Sequence, residues 1–272
     1  MIIDFHTHCY PDAVAAHAMA AMTGAAEACP EASGLRPEAD GTLDHLRRNV
    51  HAAGADYFVQ LSVVTAPRHQ YNVNQFALKV NALPDAFSFC GVHGAASDSL
   101  EELERMYDAG IKGVKLHPDE QMIDLADKKM YPVYDLISDL GLPVVIHTGF
   151  DPFSPDHAHA SPDQILKVRA DFPKLRLILA HLGGYLDWDA AEELLAGKGM
   201  PMDTALATAG LPPEQAVRII RKNGAENVFL GSDSPWATTA HALDYLLKLP
   251  LTDREKELIM GENAARLLGL MP

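Results

Sequence analysis

Apolar residues fall in short runs separated by amphipathic stretches, and this alternation repeats along the whole chain. Eight runs read as strands, at residues 1–8, 56–64, 86–93, 111–117, 142–147, 175–181, 200–204 and 228–233. Most carry Val, Ile, Leu and Phe on both parities, as a strand covered on both faces does. The seventh is the shortest and contains Pro201. A helical period marks the segments between them, at residues 42–53, 69–83, 100–109, 125–140, 162–172, 187–195, 212–223 and 241–247. A last helix begins at Thr252, where Glu255 completes a capping box, and Gly269 ends it. Glycines follow several helices directly (Gly54, Gly110, Gly141, Gly224), where a chain leaving a helix for a strand needs a left-handed turn.

Eight strand–helix units of similar length predict one parallel sheet. No glycine-rich phosphate loop follows the first strand, which argues against a dinucleotide-binding open sheet. The reading is therefore α/β, a (β/α)8 TIM barrel forming one domain over residues 1–272. No composition shift or low-complexity linker marks a second domain. The longest segment without a strand, residues 9–55, is rich in alanine over 12–28 and predicts a helical lid or an oligomer contact above the first strand.

Composition narrows the class. The chain has 272 residues, 48% hydrophobic and 22% charged, as expected of a soluble globular protein rather than a membrane protein. A net charge of −15 repels nucleic-acid backbones. The N-terminus MIIDFHTH has no basic region followed by a long apolar stretch, so the expected compartment is the cytoplasm. Cys9, Cys29 and Cys90 form no CxxC pair and read as free thiols. Cys9 follows His8, but strand alternation turns it to the other side. Homodimerisation is expected only on the general habit of soluble enzymes.

The histidines change the picture. Of 13, six (His6, His8, His93, His117, His147 and His181) sit at or near the end of a predicted strand. In a barrel that end is where catalytic groups converge. Residues two apart on a strand point the same way, so Asp4, His6 and His8 are expected on one face. Two adjacent neutral imidazoles can chelate a divalent ion such as Zn2+. The eighth strand ends in Asp233, a carboxylate that is costly to bury unless a cation or hydrogen bonds compensate it. Lys115 and His117 share a parity on the fourth strand.

The order HxH on strand one, His on strands five and six and Asp on strand eight resembles the amidohydrolase superfamily. The ending Met260–Gly–Glu–Asn–Ala–Ala–Arg–Leu–Leu–Gly–Leu270 is similar to the final helix of its amidohydrolase-related branch, which includes aminocarboxymuconate-semialdehyde decarboxylase. The resemblance implies that His6, His8, His147 and Asp233 ligate one metal. Zn2+ comes first among the candidates, with Mn2+, Fe2+ and Ni2+ compatible with these donors. It implies that His181 either binds a second metal or stands free as a catalytic group that polarises the substrate. Lys115, open to carbamylation, and His117 are candidates for a second metal or for substrate. The implied reaction is hydrolysis of a small-molecule amide, ester or lactone by metal-activated water, with Asp233 as general base. The alternative is a decarboxylase or hydratase on a small carboxylic acid, with Lys115, Arg68 or Arg47 as its cationic anchor. His93, His157, His159, Tyr10 and Trp236 are weaker candidates for substrate contact.

Overall fold

The computed structural model describes residues 1–32 and 34–271. Eight strands, all parallel and in sequential order, form a single sheet. They are β1 (Ile3–Thr7), β2 (Tyr57–Leu61), β3 (Ala86–Gly91), β4 (Val114–Leu116), β5 (Pro143–Ile146), β6 (Arg176–Leu179), β7 (Met202–Asp203) and β8 (Val228–Phe229). The residues after β8 return to β1. Phe5 N–H donates to Leu230 O at 2.7 Å, and Asp233 N–H donates to His6 O at 2.8 Å. These bonds close the barrel and leave no exposed edge. All eight expected strands are present.

The regular ladders stop earlier than the apolar runs suggest. His117, His147, His181 and Asp233 all lie just past the last strand residue, on chain that has begun to turn. Strand pairing ends where side chains turn toward one another at the mouth, and the turn frees the backbone to aim them.

Helices wrap the outside. The expected helix over 125–140 is a short 3-10 turn, Lys128–Met130, followed by an α-helix, Tyr131–Asp139. Asp127 caps the turn by accepting from Lys129 N–H, and Pro132 lies in the first turn of the helix, so regular structure begins there. The final helical segment opens with the expected capping box at Thr252 and Glu255. It closes at Gly269, whose φ of 78° is left-handed. Residues 9–55 contribute a 17-residue helix, Asp12–Ala28, that buries only Ala15, Met19 and Ala26. Tyr10, Met22 and Leu35 from this segment line the mouth of the barrel, as a lid would. Among the described residues no helix is long and apolar enough to cross a membrane.

Beneath the mouth the barrel is filled by aromatic packing. Phe5 stacks on Phe229 at 4.4 Å and meets Phe89 edge-on at 5.7 Å. All three are buried, with Val59, Val145 and Ile178 in the same cluster. This layer is the floor on which the first-strand histidines stand. Replacing Phe5 with Ala should cost about 3–5 kcal/mol, the usual range for emptying a buried aromatic site. Urea unfolding of the pure protein measures it; a loss under about 1 kcal/mol would mean that the floor is not close-packed.

Candidate active site

The register of β1 against β2 slips between Asp4 and Thr7: Asp4 pairs with Phe58, while Thr7 pairs with Gln60. Three steps on one strand match two on the other, so simple alternation fails there. Phe5 packs into the barrel interior, and His6 still reaches the mouth. The expectation that Asp4 shares a face with the two histidines is corrected. Its carboxylate accepts from Ser232 N–H at 3.0 Å and from Thr239 O–H at 2.6 Å. Asp4 thus ties β1 to the residues after β8 and to the helix Thr239–Lys248.

His6 Nε2, His8 Nε2 and Asp233 Oδ1 form a triangle whose three edges are each 3.1 Å. The outer nitrogens of both rings are already committed. His6 Nδ1–H donates to Asp203 Oδ2 at 2.8 Å, and His8 Nδ1–H donates to Leu61 O at 2.8 Å. In the neutral form of each ring the lone pair is therefore on Nε2, turned toward Asp233. Burial opposes charge on Asp233, but His6 and His8 outweigh it and hold the carboxyl well below its usual range. Its Oδ1 is buried and makes no hydrogen bond among the described residues. Three electron-rich atoms facing one another need a cation, and donors about 2.0–2.2 Å from one ion stand roughly 3 Å apart. The set fits a divalent metal, and its supporting bonds fix both ring tautomers.

Asp203 is the support that sequence reasoning missed. Its Oδ1 accepts from His181 N–H and Ala205 N–H, both at 3.0 Å, while Oδ2 holds His6. Burial disfavours its charge, yet His6 and these donors keep its pKa down. In turn it outweighs the effect of burial on His6, whose pKa is raised. The signal available in the sequence was an aspartate in the seventh strand, level with the strand-end histidines.

His181 and Asp233 both adopt left-handed backbone, with φ of 58° and 64°. Non-glycine residues accept that strain where the surroundings force it, commonly at functional sites. His181 Nδ1–H donates to Ala205 O, which leaves Nε2 facing His147 Nδ1 at 3.0 Å. Burial keeps His181 neutral, with its pKa down at about 4. His147 stands between two groups. Its Nδ1 faces His181, while its ring stacks on His117 at 4.1 Å. His117, His147 and Asp151 gather as a second set of donors beside the first. Gly149 makes this possible: a Cβ there would lie 2.2 Å from Tyr185 N. Lys115 is almost wholly buried, its Nζ 3.4 Å from His6 Nε2, and burial lowers its pKa. Parity placed Lys115 and His117 inward, and both line the cavity.

Other candidates lie elsewhere. His93 accepts from Ala95 N–H and is a structural histidine. His157 and His159 bond Asp124 outside the cavity. Arg47 pairs with Asp85, and Arg68 is exposed in the short helix Pro67–His69, so neither reaches the mouth. Cys9 packs against Leu46, Val50 and Phe58, away from the metal-ready triangle. Glu120 and Asp151, unremarked in the sequence, join the cavity wall. Burial, first, and neighbouring carboxylates raise both carboxyls, Glu120 to about 8 with Asp151 beside it and Asp151 to about 7 with Asp119 and Asp233 beside it. The cavity encloses about 630 Å³ with its open mouth included, and Tyr10, Phe150, Phe153, Tyr185 and Trp236 supply aromatic walls.

Fold and site together define a (β/α)8 barrel with a histidine–carboxylate group suited to a metal at its mouth. Residues 3–270 match the family described as Amidohydrolase. The chain belongs to the amidohydrolase family. No curated protein sequence matches it significantly. Among solved structures, an uncharacterised TIM-barrel protein from Bordetella bronchiseptica is 22% identical, with a TM-score of 0.76 and 98% of each chain covered. A dihydroxybenzoic acid decarboxylase from Polaromonas sp. JS666, with bound manganese and the inhibitor 2-nitroresorcinol, is 14% identical at a TM-score of 0.71. That match covers 99% of this chain and 97% of the other. A 4-oxalomesaconate hydratase from Rhodopseudomonas palustris is 20% identical at a TM-score of 0.65, covering 99% and 96%.

If Asp203 orients His6, Asp203→Asn should weaken Zn2+ or Mn2+ binding by about 10- to 100-fold, as loss of such supporting carboxylates does. A competition titration with a chromophoric chelator reads this directly. Unchanged affinity would mean that the His6–Asp203 bond has no part in holding the ion.

Proposed function

We propose that the protein is a metal-dependent lyase that removes CO2 from, or adds water to, a small carboxylic acid. The observation that carries this reading is Lys115. It is the one Lys or Arg lining the cavity among the described residues, and it is buried beside the metal-ready triangle. A carboxylate entering this cavity meets its ammonium and whatever cation the triangle holds. The decarboxylase and the hydratase of the same fold support the lyase class, and the manganese of the former supports a divalent ion.

His6, His8 and Asp233 would hold that ion, with His147 next to them. A divalent ion held there supplies positive charge that stabilises negative charge developing on substrate oxygens. Lys115 binds and orients the substrate carboxylate. His181, neutral and with Nδ1–H fixed on Ala205, has Nε2 available to take a proton from a substrate hydroxyl. In decarboxylation the electron pair of the breaking carbon–carbon bond stays on carbon, and His181 returns the proton there. In hydration Asp233 takes a proton from the attacking water and returns it to the neighbouring carbon. Tyr10, Met22 and Leu35 of the lid exclude bulk water. Hydrolysis of an amide, ester or lactone would use the same Asp233 and His181, and it is the second reading that the family name supports.

A panel of hydroxylated aromatic and unsaturated carboxylic acids, amides and lactones, followed for CO2 release, hydration and hydrolysis, separates these readings. CO2 release or hydration supports the lyase. Hydrolysis of amides or lactones alone overturns it. On the active substrate, Asp233→Asn should lower kcat by about 10³-fold or more, a loss of roughly 4 kcal/mol in barrier terms. Lys115→Met should act mainly on KM.

A further inference from the structure

Outside the cavity, another group of donors stands at the rim of the barrel. His157 and His159, two residues apart in the loop after β5, turn their rings toward one oxygen of Asp124, on the segment after β4. His157 Nε2 is 2.7 Å and His159 Nδ1 is 2.9 Å from Asp124 Oδ1, and the two rings meet edge to face at 4.4 Å. None of the three residues lines the cavity, and none belongs to the metal-ready triangle.

Other bonds already hold the two segments in place. His159 N–H donates to Asp119 Oδ1 at 3.1 Å, and Leu125 N–H donates to His159 O at 2.8 Å. Asp127 N–H closes a turn onto Asp124 O at 2.9 Å, and Ser154 O–H donates to His157 O at 2.8 Å. The imidazoles are therefore not needed as fasteners.

Hydrogen bonding alone does not account for His159. To donate from Nδ1 to Asp124, the neutral ring must leave Nε2 bare, and that nitrogen is buried with no hydrogen bond among the described residues. Oδ2 of the adjoining Asp119 is likewise buried and without a partner. The other tautomer carries its proton on Nε2 and points the Nδ1 lone pair at the Asp124 carboxylate. Two electron-rich atoms so close repel unless a cation joins them. A metal ion on Nδ1 fixes that tautomer and sets positive charge beside Asp119.

We propose that Asp124, His157 and His159 bind a divalent transition-metal ion that staples the loop after β5 to the segment after β4. Donors sharing one ion at about 2.0–2.2 Å stand roughly 3.0–3.4 Å apart, so the exposed His157 swings out by a few tenths of an ångström. Two imidazoles and one carboxylate favour Zn2+, Ni2+ or Cu2+ over Mg2+ or Ca2+, with water completing the shell on the open side. The same loop supplies Phe150, Asp151, Pro152 and Phe153 to the cavity wall. The ion thus braces that wall from outside, whatever reaction runs at the mouth.

Zinc retention tests the site. The full chain is stripped with chelator, reloaded with Zn2+ and passed through gel filtration before its metal is measured. Asp124 and His157 have side chains about half exposed, so their replacement spares the core. Asp124→Asn and His157→Asn should each carry one equivalent fewer than the wild type. Competition with a chromophoric chelator should show that equivalent weakened by more than the roughly tenfold that follows loss of a mere supporting contact. Asp233→Asn should keep the rim ion and weaken the one at the mouth. In that Asp233→Asn background Zn2+ should slow chymotrypsin cutting at the exposed Phe153, and adding His157→Asn should abolish the effect. Equal zinc in the wild type and both rim variants overturns the proposal, because protons and hydrogen bonds alone then hold the rings. So does an equivalent that washes out during gel filtration, which marks an adventitious ion only. Equal slowing at Phe153 with and without His157 overturns it too, since the ion would not then fasten the loop.

Discussion

The structure depends on electron-rich atoms brought face to face without protons between them. Two imidazole nitrogens and a carboxylate oxygen stand 3.1 Å apart, and that oxygen has no hydrogen bond among the described residues. In a buried setting such an arrangement is repulsive and expensive unless a cation fills it. The rest of the mouth reads as support for that focus. Asp203 fixes His6 and the backbone at His181, Leu61 fixes His8, and the left-handed turns at His181 and Asp233 aim side chains inward.

The barrel below makes this tension tolerable. The aromatic floor of Phe5, Phe89 and Phe229 is buried and packed, so the chain above it has few ways to relax. Closure of β1 onto the residues after β8 places Asp233 opposite His6 through a backbone bond, not through side chains alone. The metal-ready group and the seam of the barrel are therefore the same place. Loading the ion should stiffen the seam as well as the site.

Much of this was legible in the sequence. Buried strands give unbroken apolar runs, and those runs located all eight strands. The strand-end histidines and Asp233 were visible because chemistry-bearing residues interrupt such runs at a constant place. The slip in β1 was not legible, since nothing in Ile3–Thr7 departs from ordinary strand composition; it arises from pairing with β2. Asp203 was hidden in a strand only two residues long, Glu120 lies in a helix of a single turn, Pro118–Gln121, and Asp151 lies in a loop whose path is set by tertiary contacts. The lysine at 115 was recognised, and its Nζ stands by His6, while Asp4 bonds Thr239 on the other side of β1. Arg47 and Arg68 show the reverse case, charged residues plausible by type and excluded by position.

Anomalous X-ray scattering from crystals grown with Mn2+ tests the central claim most directly. The account predicts a peak within bonding distance, about 2.0–2.3 Å, of Nε2 of His6, Nε2 of His8 and Oδ1 of Asp233. An ordered crystal with full Mn2+ exposure and no peak among those three atoms would contradict it.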